Sequence, residues 1–120
     1  MKLHTSGEDY LEAIFVLQKK TGAARSIDLA RYMGFSKASV SRAVSLLWDG
    51  GFLEPDTDGF LCLTDAGKEV AEKIYERHRF LTDMLIRIGV PPQIAEQDAC
   101  KMEHVLSAET FECLKKKLDM

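Results

Sequence analysis

The sequence predicts a mostly α-helical chain in which a winged helix–turn–helix unit precedes a set of long amphipathic helices. Three observations carry this reading. Apolar residues recur at helical spacing in successive stretches, each bounded by a capping residue or a glycine. Two short apolar runs in mid-chain flank Asp58-Gly59, a strong hairpin signal. Positive charge is concentrated in the helices ahead of that hairpin.

The first helix is expected over roughly residues 6–20. Ser6 or Thr5 can cap it, with Glu8 or Asp9 closing a capping box. Tyr10, Leu11, Ile14, Phe15 and Leu17 form its inward stripe, and Thr21-Gly22 stops it. Ser26 caps a short second helix, Ile27 to Met33, ended by Gly34. Ser36 caps a third helix that runs to about Trp48 and turns Val40, Ala43, Val44 and Leu47 inward, with Trp48 a further core candidate. Asp49-Gly50-Gly51 breaks it. Phe52–Glu54 and Phe60–Leu63 read as strands joined by Pro55-Asp56-Thr57-Asp58-Gly59.

Thr64 then caps a long helix with Val70, Ala71, Ile74, Tyr75, Leu81, Leu85 and Ile88 as its apolar positions, ended by Gly89. Pro91-Pro92 opens a fifth helix to about Leu106, and Ser107 starts a sixth that runs out in Lys115-Lys116-Lys117. The domains expected are 1–67, with the hairpin at about 52–63, and 68–120. The helices after 67 are too few to enclose a core alone, and such a half-core finds its complement in a second copy of the chain.

At 120 residues, 46% hydrophobic and 29% charged, the chain has the composition of an ordinary globular protein. A formal charge of −3 excludes a generally basic, histone-like protein. No run of about 18 apolar residues exists, so a membrane partner is not expected. The N-terminus lacks a signal-peptide core. Three widely spaced cysteines, Cys62, Cys100 and Cys113, make no disulfide framework and point to the cytoplasm. Cys62 and Cys113 read as packing residues, and His4 as a mobile terminal residue.

Two short helices joined by a tight glycine turn are the DNA-reading unit of many regulators. The outward positions of the second of them are Lys37, Ala38, Ser39, Ser41, Arg42 and Ser45. Short side chains let such a helix sink into the major groove, and an arginine there pairs bidentately with guanine. From Lys19 to Leu46 the cations are Lys19, Lys20, Arg25, Arg31, Lys37 and Arg42 against the single acid Asp28, so this stretch carries +5 and the rest −8. Arg25, Ser36, Lys37, Ala38, Ser39, Ser41 and Arg42 are therefore the candidate contacts to double-stranded DNA. The hairpin becomes a wing, a second contact to backbone or minor groove. A helical hairpin with a solvated basic face is the plainer alternative.

A second constellation is acidic. Asp9 and Glu12 lie three apart on the first helix and share a face. Cys100, Glu103 and His104 share a face at i, i+3 and i+4 of the fifth, and His78 stands on the apolar stripe of the fourth. Oxygen, nitrogen and one sulfur suit divalent transition metals. Each piece alone has a structural reading: a helix-dipole complement, a satisfied core histidine, a small buried thiol. Three helices each bringing donors on an inward face raise the metal reading above these.

Glu8-Asp9-Tyr10-Leu11-Glu12, the serine-rich helix from Ser36 to Ser41, Leu63-Thr64-Asp65-Ala66-Gly67, Arg77-His78-Arg79 and Cys100-Lys101-Met102-Glu103-His104-Val105-Leu106-Ser107 together give the chain a resemblance over nearly its whole length. It resembles the diphtheria-toxin-repressor family of metal-dependent transcriptional regulators, and within it the short manganese regulators. The resemblance implies a winged-helix DNA-binding domain, a helical metal-binding and dimerisation domain, and metal held between them. It places Asp9, Glu12, His78, Glu103 and His104 on ligand positions of the manganese branch. Cys100 falls where that branch has a glutamate and the iron branch a cysteine, and Asp9 where the iron branch has a methionine. Thr82 and Glu96 fall where the iron branch uses other ligands in an ancillary site. The SH3-like domain of longer iron-responsive members has no counterpart here, whether the chain is a two-domain member or a piece of a longer one. The implied cofactor is Mn²⁺ or Fe²⁺, with Zn²⁺, Co²⁺ or Ni²⁺ able to occupy the same donors in vitro.

The function expected is a homodimeric, non-enzymatic repressor of metal-uptake genes that binds a palindromic operator when metal is plentiful. The rivals are a winged-helix repressor sensing a small organic ligand, a metalloenzyme built on Cys100, Glu103 and His104, and a winged helix that binds protein instead of DNA. The chain shows no nucleophile-and-base pair, no phosphate-binding loop and thus no organic substrate, and the +5 segment opposes the last rival.

Overall fold

A computed structural model describes residues 5–55 and 58–118. His4 and the loop residues Asp56 and Thr57 lie outside the described residues. The order is α1 (Thr5–Thr21), α2 (Ser26–Met33), α3 (Lys37–Asp49), β1 (Leu53–Pro55), β2 (Leu61–Leu63), α4 (Asp65–Arg87), α5 (Pro92–Met102) and α6 (Ala108–Leu118). The chain divides into two compact units, Met1–Glu72 and Lys73–Met120, so the division falls inside α4.

In the first unit Tyr10, Leu11, Ile14, Phe15 and Leu17 of α1 are buried with Leu29 and Ala30 of α2 and Val40, Val44 and Leu47 of α3. Gly34 ends α2 at φ 72°, a left-handed conformation that costs a glycine nothing. Ser36 caps α3, its hydroxyl accepting from the backbone N–H of Ser39 at 3.1 Å. Two caps differ from the sequence reading. Thr5 and Ser6 stand inside the first turn of α1. The N-cap of α2 is Arg25, not Ser26, and its backbone N–H donates to Oδ2 of Asp28 at 3.0 Å. A carboxylate at N3 can close that turn whatever side chain the cap carries. Trp48 is 50% exposed, so it is not a core residue of this chain.

The hairpin is antiparallel, with Leu53 opposite Leu63, Glu54 opposite Cys62 and Pro55 opposite Leu61. Its loop end is fastened from two sides. The Leu61 N–H donates to the carbonyl of Ala24 at 2.7 Å. Nε2 of Gln18 donates to the carbonyl of Leu61 at 2.8 Å. Thr64 closes the junction with α4, its hydroxyl donating to the carbonyl of Gly51 and accepting from the N–H of Gly67. Gly67 is required by space here. A Cβ on it would collide with the carbonyl of Phe52. Gly67→Ala is therefore expected to destabilise the unit by about 1–3 kcal/mol despite alanine's better helix propensity. A urea midpoint no lower than wild type would contradict that steric reading.

In the second unit Ile74 and Leu81 of α4, Ala95 and Ala99 of α5 and Phe111 of α6 are buried. The Phe80 and Phe111 rings meet edge to face at 5.4 Å. Ser107 caps α6, accepting from the N–H of Thr110 at 3.1 Å. Lys115 reaches Oε1 of Glu76 on α4 at 2.6 Å, so one member of the terminal lysine run ties two helices together. Helix α5 ends at Met102, short of the expected Leu106, and Glu103 is its C-cap. Ile88, 71% exposed, and Cys113, also exposed, are not packed within the single chain. Cys62 is half-buried.

Candidate functional site

Lys37, Ala38, Ser39, Ser41, Arg42 and Ser45 are all exposed on α3, while Val40, Val44 and Leu47 hold the opposite side. Ser36 is exposed and occupied as the cap, with its Oγ donating to Oγ of Ser39 at 3.0 Å. The face is one of short hydroxyls, a methyl and two cations, standing clear of the core. Arg25 is exposed at the entry to α2, its guanidinium 4.5 Å from the centre of the Phe60 ring at the loop end of the wing.

The acidic constellation is distributed over both units. Asp9 and Glu12 are half-buried on α1 in the first. His78, Cys100, Glu103 and His104 are in the second, and these four are gathered. One donor atom from each of His78, Cys100 and Glu103 lies within 4.8 Å of the others. Nδ1 of His78 is 2.9 Å from Oε2 of Glu103 and 3.8 Å from Sγ of Cys100. Nε2 of His104 lies 3.4 Å from Oε1 of Glu103. Nε2 of His78 is 4.0 Å from Oε1 of Glu96, an exposed residue.

Glu103 decides the character of the site. It is 0% exposed, and its Oε1 is without a hydrogen-bond partner among the described residues. Leaving a buried carboxylate oxygen unsatisfied costs about 1–3 kcal/mol or more. A cation removes that cost, and nitrogen, sulfur and oxygen donors together suit a divalent transition ion. The residues present therefore fit a metal. Thr82, one turn beyond His78, also has a buried hydroxyl without a partner among the described residues.

Arg77 was not a candidate from sequence. Its guanidinium donates to the carbonyls of Glu103 at 3.2 Å and Leu106 at 2.7 Å. It thereby takes carbonyls of the segment that follows α5 and fixes the turn that carries Glu103 and His104. The available signal was its place beside His78 on α4. A cation near an inward position often terminates another element.

The contacts of His78 to Cys100 and then to Glu103 hold its imidazole protonated, its pKa pushed up to about 10 against an opposing effect of burial. The stability this proton brings is fully present below the ordinary value of 6.5 and is lost as pH rises through about 10. Metal-free protein should thus lose chemical stability between these limits, and His78→Gln should flatten that slope. An unchanged slope in the variant would place the loss elsewhere.

A winged helix with an exposed basic and hydroxylic α3, joined to a helical unit whose nitrogen, sulfur and oxygen donors gather around a buried carboxylate, defines the class of metal-responsive DNA-binding regulators. Comparison with known proteins narrows this. Residues 2–59 match the iron-dependent repressor N-terminal DNA-binding domain, and residues 64–120 match the iron-dependent repressor metal-binding and dimerisation domain. The transcriptional regulator MntR of Escherichia coli O6:H1 is 34% identical over 108 residues, which are 90% of this chain and 70% of that protein. The crystal structure of T. acidophilum IdeR superposes with a TM-score of 0.84 at 26% identity over 100% of this chain and 56% of its own. A manganese-dependent transcriptional repressor solved in complex with manganese gives 0.85 at 26% identity, over 94% of this chain and 52% of its own. The chain thus spans about half the length of these solved relatives. It belongs to the iron-dependent repressor family, the diphtheria-toxin-repressor and manganese-regulator group of metal-dependent transcriptional regulators.

Proposed function

We propose that this protein is a cytoplasmic, homodimeric repressor that binds a palindromic operator when loaded with Mn²⁺ or Fe²⁺, and so controls metal-uptake genes. The observation that carries the reading is the buried Glu103 carboxylate, one oxygen of which has no hydrogen bond among the described residues, beside His78 and Cys100. The proposed ligands are His78, Cys100, Glu103 and His104, joined by Asp9 and Glu12 as the family resemblance implies. Bound there, a divalent cation supplies positive charge and a fixed coordination geometry. The chain's own residues do the rest. Arg77 holds the Glu103–Leu106 turn, and α3 presents Ser39, Ser41 and Arg42 for base contacts while Arg25 and Lys37 meet phosphates. The matched dimerisation domain leaves Ile86, Ile88, Ile94, Val105 and Leu118 exposed, apolar surface suited to a second copy. A two-fold dimer places its recognition helices on half-sites about one helical turn apart.

The test is titration of promoter DNA from candidate metal-uptake genes under Mn²⁺, anaerobic Fe²⁺, Zn²⁺ or chelator. Binding is expected at least about tenfold tighter with an activating metal, a coupling of about 1.4 kcal/mol. Equal affinity in metal and chelator would leave a repressor that senses something other than metal. Cys100→Glu assigns the branch: a swing of preference from Fe²⁺ to Mn²⁺ makes the thiol the selector.

A further inference from the structure

The wing raises a charge problem. From Phe52 to Leu63 it contains no lysine or arginine, and three acids, Glu54, Asp56 and Asp58. Glu54 and Asp58 are exposed. Phosphate backbones are gripped by cations, and carboxylates near them are repelled. A wing of this composition cannot add affinity through its own charge. Its loop end, however, holds a cation that belongs to the helix–turn–helix. Arg25 lies 4.5 Å over the Phe60 ring. The backbone on both sides of this contact is fixed: Leu61 donates to the carbonyl of Ala24 at 2.7 Å, and the Arg25 N–H donates to Asp28 at 3.0 Å.

We infer that the wing acts on DNA through the loop end of β2, where Phe60 braces the Arg25 guanidinium as a preorganised phosphate contact. This deepens the reading of the protein as a DNA-binding regulator and rests on it. Stacking uses the flat face of the guanidinium and leaves its N–H edge for a phosphate. The first helix of a helix–turn–helix crosses the DNA backbone, and Arg25 stands at the start of that helix. Bracing removes rotamer freedom before binding, so less is lost when the contact forms. Phe60 is thus a positioning residue and touches no DNA itself.

The test uses the full chain with Mn²⁺ and a labelled mixed-sequence duplex, because a phosphate contact does not depend on sequence. Arg25→Ala should weaken binding and lower the salt slope by about 0.9, the release of one counterion. Phe60→Leu should weaken binding about three- to fivefold, the size of an exposed cation–π contact, and Phe60→Tyr should restore it. Circular dichroism and melting check that each variant folds. The decisive measurement is the double variant. In the Arg25→Ala background, Phe60→Leu should cost less than twofold, because nothing is left to brace. Additive losses would make Phe60 a structural residue only and overturn the proposal. So would an Arg25→Ala variant with the wild-type salt slope. Failure of the wild type to bind any duplex would remove the regulator reading together with this one, whereas wild-type binding with indifferent variants removes this one alone.

Discussion

Glu103→Gln is expected to abolish the response of the protein to metal while leaving a folded chain. With a divalent cation at about one hundred times its Kd, the wild type should gain about 2.7 kcal/mol of stability, roughly 10 °C in melting temperature for a chain of this size. The variant should gain almost nothing. Glutamine keeps the volume of the buried side chain and an acceptor for Nδ1 of His78, which Oε2 of Glu103 meets at 2.9 Å. It also replaces the oxygen that lacks a partner among the described residues with an amide. The metal-free fold therefore keeps its packing and gives up only the charge contact of Glu103 with the His78 imidazolium, and the charge that holds a cation is gone. The same variant should bind promoter DNA equally in metal and chelator. Melting curves of both proteins with and without metal separate the effects. A variant that still gains the full shift would show that Glu103 is no ligand.

The donor set was legible because periodicity is local. Cys100 and Glu103 stand one turn apart, and His78 is in step with Ile74 and Leu81, so the sequence could place each on a face. Distance between faces is not local, and neither is burial. Nothing in the spacing told that Glu103 would be fully buried with one oxygen lacking a hydrogen bond among the described residues, or that Arg77 would take the carbonyls of Glu103 and Leu106 beyond the end of α5. The helix that Pro91-Pro92 opens is therefore expected to run to about Leu106, four residues past its end at Met102. Trp48 and Cys113 show a second limit. An amphipathic stripe gives the direction of a face, but not the partner that covers it. The caps failed for a third reason: Ser26 has the right chemistry, yet Asp28 closes the turn from inside and moves the cap to Arg25.

Arg42→Ala should produce a different kind of loss, in sequence discrimination more than in affinity at large. Arg42 is exposed in the second turn of α3, flanked by Ala38, Ser39, Ser41 and Ser45, none long enough to keep the helix out of a groove. A guanidinium there can fork onto the O6 and N7 of guanine, a pairing worth about 1–3 kcal/mol against the wrong base. The operator should thus lose about five- to 150-fold in affinity, while a mixed-sequence duplex loses only about what one phosphate contact contributes. Lys37→Ala provides the contrast. As a compact point charge at the start of α3 it should weaken both duplexes alike and lower the salt slope by about one. Parallel salt titrations of the two variants on the two duplexes give four slopes and four affinities. If Arg42→Ala lowers both affinities equally, Arg42 is a phosphate contact and base reading falls to the hydroxyls of Ser39 and Ser41. If operator affinity alone collapses, the fork is on a base, and the position of that base follows from the operator substitution that the variant no longer notices.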